Sequence, residues 1–175
     1  IGLDSKTWDN QSLDNFRNCP QFYFWRMEKK IVKVSDKKTA ADFGSAIHSA
    51  LECWYKNGMT DEATVGATKA FIERFTPHQD DVDEMRTLAK GIEILMKYFE
   101  RYHHEPFNVI TTEIGSVTEL DAYLYCGRID LAVEWLSPKG VYGMDHKTSS
   151  SIGRMIVKPH NQITGYIYTL QQSYE

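Results

Sequence analysis

At 175 residues the chain fits one folded domain around a single core. Hydrophobic residues make up 42% and aromatics 13%, which excludes a disordered tail and a collagen-like repeat. The formal net charge of −4 gives no global attraction for a polyanion, so any nucleic-acid chemistry must come from local motifs or from bound cations that invert the local sign.

No apolar run is long enough for a membrane span and no signal peptide opens the chain, so a cytoplasmic location is expected. Cys19, Cys53 and Cys126 are odd in number and widely spaced, and are read as reduced thiols. The chain begins at Ile1 and stops inside a helical pattern, so residues 1–175 are read as a single domain, incomplete at its C-terminus.

In chain order, Ser12 before Leu13, Phe16 and Cys19-Pro20 predicts a capped helix turned near Pro20, with Phe22, Tyr23, Phe24 and Trp25 packing behind it. Residues 28–38 read as a charged loop with a short extended piece at Ile31, Val32 and Val34. Phe43, Ala46, Ile47, Ala50, Leu51 and Trp54 recur at helical spacing over 40–55, closed by Asn57-Gly58. A second helix is expected over 61–75, an acidic connection over 77–83, and a third helix through Met85, Leu88, Ile92, Leu95 and Phe99 to about Tyr102. After Pro106 the residues become β-branched and aromatic, predicting strands around 109–114, 123–135 and 141–147, the last two joined as a hairpin through Ser137-Pro138-Lys139-Gly140. A loop of small residues over 149–153 and a helix over 161–171 follow, an α/β order.

Chemistry is concentrated in Gly127-Arg128-Ile129-Asp130, Met144-Asp145-His146-Lys147-Thr148 and Gln162-x-x-x-Tyr166. Strand side chains alternate, so Asp145 and Lys147 share a face and His146 points away. Asp130 on the neighbouring strand could face Asp145, with Ile129, Leu131 and Val133 buried on the other side. Two carboxylates brought together repel, and a hard divalent cation with oxygen ligands relieves the repulsion. Taken singly, a strand aspartate is more often solvent-facing, and an Asp–Lys pair more often a surface ion pair. Gly44 and His48, four apart, share a helix face on which glycine permits close approach to the sheet, although most helix histidines are not ligands. Gln162 and Tyr166 also share a face and read equally as a hydrogen-bonded pair. Glu113 is a weaker candidate for an outer shell, an exposed strand glutamate being at least as common.

These blocks, in this order, resemble the RecB-type and phage exonuclease branch of the PD-(D/E)XK nuclease superfamily. Ser12-Leu13 through Cys19-Pro20 and Phe43-Gly44-x-x-x-His48 resemble that branch's upstream blocks, although Asp145 stands where many members carry Glu. The resemblance implies a restriction-endonuclease-like α/β core, a mixed sheet flanked by helices with an N-terminal helical layer. It implies phosphodiester hydrolysis of DNA with Mg²⁺ or Mn²⁺ held by His48, Asp130, Asp145 and the main-chain carbonyl of His146. Lys147 matches the catalytic lysine, and Gln162 and Tyr166 match residues lining the site from the following helix. Some members carry an iron-sulphur cluster built from a cysteine like Cys19 and three near the C-terminus. That trio is missing here, and no cluster is expected.

The resulting expectation is a metal-dependent DNA exonuclease in phage-type recombination or end processing, with DNA as partner and no membrane. Two alternatives are a nuclease like those of CRISPR adaptation that trims single strands, which the missing cysteine trio would have favoured, and a catalytically inactive DNA-binding module, to which loss of a metal ligand would point; Asp130, Asp145 and Lys147 are all present, which favours the enzyme.

Overall fold

A computed structural model describes residues 7–31, 39–75, 84–120, 123–149 and 161–174. Its elements are β1 (Thr7–Trp8), α1 (Asn10–Asn18), α2 (Pro20–Tyr23), a π-helical turn (Phe24–Glu28), α3 (Thr39–Lys56), α4 (Asp61–Phe75), α5 (Leu88–Tyr102), β2 (Phe107–Leu120), β3 (Tyr123–Leu136), β4 (Lys139–Met144) and α6 (Asn161–Tyr174). The described residues form two compact units, and β2 and β3 pass from one to the other at 113/114 and 129/130.

The larger unit contains α3, α4, α5, residues 107–113 and 130–136, and β4. Local signals set its helices. Thr60 Oγ1 accepts the Ala63 N–H at 3.1 Å at the start of α4, and Thr87 accepts the Lys90 N–H at 3.1 Å at the start of α5. α3 stops at Gly58, whose φ of 76° lets the Met59 N–H reach back to the Trp54 carbonyl at 3.0 Å. Phe43, Ala46, Ile47, Ala50, Leu51 and Trp54, the residues spaced at the helical period, are all buried, and they pack with Phe71, Phe75, Leu95, Phe99, Phe107, Leu131 and Val133. Phe43 meets Phe71 and Phe75 edge-on at 5.8 and 5.2 Å. Burying each large apolar side chain contributes about 1.5–3 kcal/mol, so this cluster is the main source of stability in the unit.

α5 closes on α4 only because position 91 lacks a side chain: a Cβ there would lie 2.0 Å from Cζ of the fully buried Phe71. Gly91→Ala is therefore expected to destabilise the protein by about 1–3 kcal/mol through overpacking, despite alanine's better helix propensity, as a lower midpoint in thermal or urea unfolding.

The smaller unit is built on the first half of β3. Leu124 and Tyr125 pair in parallel with Thr7 and Trp8 of β1. The Tyr125 hydroxyl donates to Asn10 Oδ1 at 2.7 Å, and the same ring occupies the space over Gly165 of α6, where a Cβ would fall 2.0 Å from that hydroxyl. α1 is capped three residues earlier than expected: Asp9, not Ser12, is the capping residue, and its side chain accepts the Ser12 N–H at 2.7 Å. Cys19 Sγ accepts the Phe22 N–H at 3.4 Å, making the thiol the cap of α2. The aromatic run packs less than expected. Trp8 and Tyr23 stack at 5.1 Å, while Phe16, Phe22, Phe24 and Trp25 remain exposed.

β3 is the hub of the sheet, bordered by β2 and paired antiparallel with β4 from Leu131↔Met144 to Leu136↔Lys139, a hairpin with Ser137-Pro138 at its tip. The parallel β1 was missed, since two residues carry no period. β4 ends at Met144, so Asp145, His146 and Lys147 lie in the extended segment after the strand rather than within it. The expected extended piece at Val32 and Val34, the 77–83 connection and most of the 149–153 loop lie outside the described residues. The architecture is the expected restriction-endonuclease-like α/β class, a mixed sheet flanked by helices. No helix among the described residues is long and apolar enough to cross a membrane.

Candidate metal centre

Four elements of the larger unit deliver the site. α3 presents His48 one turn after Gly44, where a side chain would meet Thr148 Oγ1 at 3.3 Å; glycine lets the helix run close to the segment after β4. β3 supplies Asp130, β2 supplies Glu113, and the segment after β4 supplies His146. Together with Leu51 and Tyr55 these residues line one small pocket.

Asp130 is the group on which the others converge. Continuing the β3–β4 register one step past Leu131↔Met144 would set Asp130 opposite Asp145. The ladder stops there, and the Asp130 carboxylate accepts the His146 backbone N–H at 2.7 Å. His48 Nδ1 lies 3.3 Å from Asp130 Oδ1, and His146 Nδ1 lies 3.7 Å from Oδ2. Burial pushes the Asp130 carboxyl up, but the neighbouring His146 and His48 rings and the hydrogen bond from the His146 N–H outweigh it, leaving it well below the usual carboxylate range. His48 is shifted the other way. Its hydrogen bond to Asp130 raises it against the opposing effects of burial and the Lys147 ammonium, and the His146 main-chain carbonyl raises it further. A metal bound by His48 would compete with a proton for the same imidazole and bind less well in acid.

Glu113 joins this pair directly. One ligand atom each from His48, Glu113 and Asp130 lie within 4.8 Å of one another. Its backbone is left-handed, φ 51°, inside a fourteen-residue strand. Left-handed backbone costs a residue with a Cβ about 1–2 kcal/mol, and strain of this kind collects at functional sites. Glu113 carries little weight in the sequence because a strand glutamate has no distinguishing period; the signal is conformational. Glu113→Gly and Glu113→Ala should both weaken metal binding, while the glycine variant unfolds later than the alanine variant by about 1 kcal/mol, because only glycine escapes the left-handed penalty. Calorimetric titration with Mn²⁺ and denaturant unfolding of both variants check the two halves of this expectation.

Behind the ligand set stands a hydroxyl chain that sequence reading did not find, because tyrosines on amphipathic helices look like ordinary core. Tyr55 and Tyr98 share a hydrogen bond at 2.7 Å, and the Tyr98 hydroxyl meets His146 Nε2 at 3.1 Å. Burial pushes the Tyr98 phenol up to about 12, so it remains protonated and neutral. The chain holds the His146 ring and with it the backbone N–H that binds Asp130. Tyr98→Phe is expected to weaken metal binding about 10- to 100-fold, the range for partners that orient a ligand, with the fold retained by circular dichroism.

Asp145 and Lys147 pair with each other at 2.7 Å, so the alternation does put them side by side. Asp145 does not belong to the 4.8 Å set; its carboxylate is half-buried beside Lys147, whose ammonium is largely exposed yet close enough to lower the His48 value. Gln162 and Tyr166 lie in the smaller unit, where Gln162 Nε2 donates to the Tyr166 hydroxyl at 2.6 Å and the Tyr166 ring lies 3.6 Å from where a Gly127 Cβ would stand. The three cysteines are free thiols: Cys19 caps α2, Cys126 Sγ contacts the Trp8 carbonyl at 3.4 Å, and Cys53 packs against the larger core.

The donor set fits a hard divalent cation. Two carboxylates and one imidazole, with ligand atoms all within 4.8 Å of one another, would suit Mg²⁺ or Mn²⁺. Neither a curated protein nor a solved structure matches the chain. A family model described as the PD-(D/E)XK nuclease superfamily matches residues 10–175, nearly the whole chain. With that match and this cluster of imidazole and carboxylates, the chain belongs to the PD-(D/E)XK superfamily of metal-dependent nucleases.

Proposed function

We propose that this protein is a deoxyribonuclease that uses Mg²⁺ or Mn²⁺ and works as an exonuclease on DNA ends, in phage-type recombination or end processing. The observation that carries the reading is the convergence of His48, Glu113 and the His146 backbone on a single half-buried carboxylate, Asp130. The exonuclease assignment rests on the resemblance of Gly127-Arg128-Ile129-Asp130, Asp145-His146-Lys147 and Gln162-x-x-x-Tyr166 to the RecB-type and phage branch.

His48, Glu113 and Asp130 would hold the ion, with the His146 main-chain carbonyl and the Asp145 carboxylate as further candidate ligands. The ion supplies the positive charge that a phosphodiester undergoing in-line attack requires. Lys147, tethered to Asp145 and reaching solvent, orients the attacking water and balances charge on the scissile phosphate. Tyr98 keeps the His146 ring in place.

Digestion of end-labelled linear DNA and closed circular DNA with Mg²⁺ and with Mn²⁺ tests the function. Progressive shortening of the linear substrate with the circle intact is expected. Cleavage of the circle would replace the exonuclease by an endonuclease, and intact DNA with either metal would refute the nuclease reading.

A further inference from the structure

The metal centre accounts for cleavage but not for how a chain of net charge −4 retains a polyanion. Residues 16–31 differ from the rest of the sequence. They hold Arg17, Arg26, Lys29 and Lys30 against one acidic residue, Glu28, in a protein with 24 acidic and 20 basic side chains. The same stretch exposes four rings: Phe16 at 45%, Phe22 at 48%, Phe24 at 38% and Trp25 at 46%. Cations lie against them, with the Arg26 guanidinium 5.7 Å from the Phe22 centroid and the Lys29 ammonium 5.1 Å from that of Phe24. The π-helical turn over Phe24–Glu28 widens the backbone so that residues five apart, such as Phe24 and Lys29, come together.

We propose that this aromatic and basic run is a binding platform for single-stranded DNA, with bases stacking on Trp25 and Phe22 and backbone phosphates taken by Arg26 and Lys29. The proposal rests on the nuclease reading for its choice of ligand. Base faces are open in a single strand and covered in a duplex, so exposed rings favour the single strand. A protein-docking patch would gather its rings into an apolar centre and keep charge at the rim. Here two of the four cations, Arg26 and Lys29, sit over rings instead, the arrangement that pairs stacking with phosphate neutralisation.

Fluorescence anisotropy of labelled oligothymidylate with the 175-residue chain, in EDTA so that nothing is cut, tests the platform. Trp25→Ala should lower affinity by about fivefold to a hundredfold, the range of base–ring stacking, and Trp25→Phe should restore most of it. R26A combined with K29A should flatten the plot of log affinity against log salt by about 1.4, since each phosphate neutralised on a single strand contributes about 0.7. Parental affinity in Trp25→Ala, or equal binding of duplex and single strand, overturns the platform and leaves the rings to a protein partner. Mn²⁺-dependent hydrolysis of bis(p-nitrophenyl) phosphate, too small to need stacking, is followed in parallel. Its absence from the parent would sink the nuclease reading, while the anisotropy result alone decides the platform.

Discussion

Asp130→Asn is expected to abolish tight Mn²⁺ or Mg²⁺ binding and to lower phosphodiester hydrolysis by about 10³-fold or more, the scale on which charge stabilisation at a reacting centre operates. The substitution keeps the shape of the side chain and removes its charge. It also places an amide donor where Oδ1 and Oδ2 now face His48, the His146 N–H and the His146 ring. The stability of the metal-free protein should change with pH in a way that identifies the same group. Because the Asp130 carboxyl is depressed by folding, its contribution is fully present above the unfolded value of about 3.9 and is lost as pH falls through the folded value. His48 is raised by folding, so its contribution is fully present below about 6.5 and is lost as pH rises through its folded value. Asp130→Asn removes both causes together. Thermal unfolding across this pH range should be flatter for the variant at both ends, and calorimetry should find no tight metal site. A variant that binds Mn²⁺ like the parent would contradict the assignment.

Lys147→Ala should produce the second-largest loss, and of a different kind. Turnover is expected to fall about 10²- to 10³-fold while metal affinity stays close to the parent's, because the ammonium lies outside the ligand set and acts on the reacting phosphate. Its removal also deletes a charge that lowers His48, so metal binding should shift slightly toward higher pH. Single-turnover cleavage with saturating metal, beside calorimetric titration, separates the two effects. A parental single-turnover rate would take Lys147 out of the chemistry, and a lost metal site would make it structural.

Much of the frame is legible in the residues. The 3.6-residue recurrence of Phe43, Ile47, Leu51 and Trp54 marks α3 because burial on one face imposes that period, and the β-branched run into Leu131 and Val133 marks β3 for the corresponding reason. Asp145 and Lys147 do pair, but the strand stops at Met144, and His146, which alternation would point away, instead brings its ring beside Asp130. What sequence conceals is conformational or long-range. Nothing in the residues around Glu113 signals a left-handed backbone, and the Tyr55–Tyr98–His146 chain joins positions 43 and 48 residues apart that look apolar or incidental one by one. The cap of α1 went to Ser12 instead of Asp9 because both residue types cap helices and only geometry chooses between them. Exposure of Phe22 and Trp25 was also hidden, since aromatic residues in a row read as core.

Whether a divalent ion binds at Asp130 is decided by anomalous diffraction from crystals soaked in Mn²⁺. A peak is expected about 2.1 Å from a carboxylate oxygen of Asp130, with the His48 imidazole and the Glu113 carboxylate also bound to the ion. An ion bound elsewhere with Asp130 outside its shell, or an Asp130 still held by His48 and His146 alone at saturating Mn²⁺, would contradict this placement.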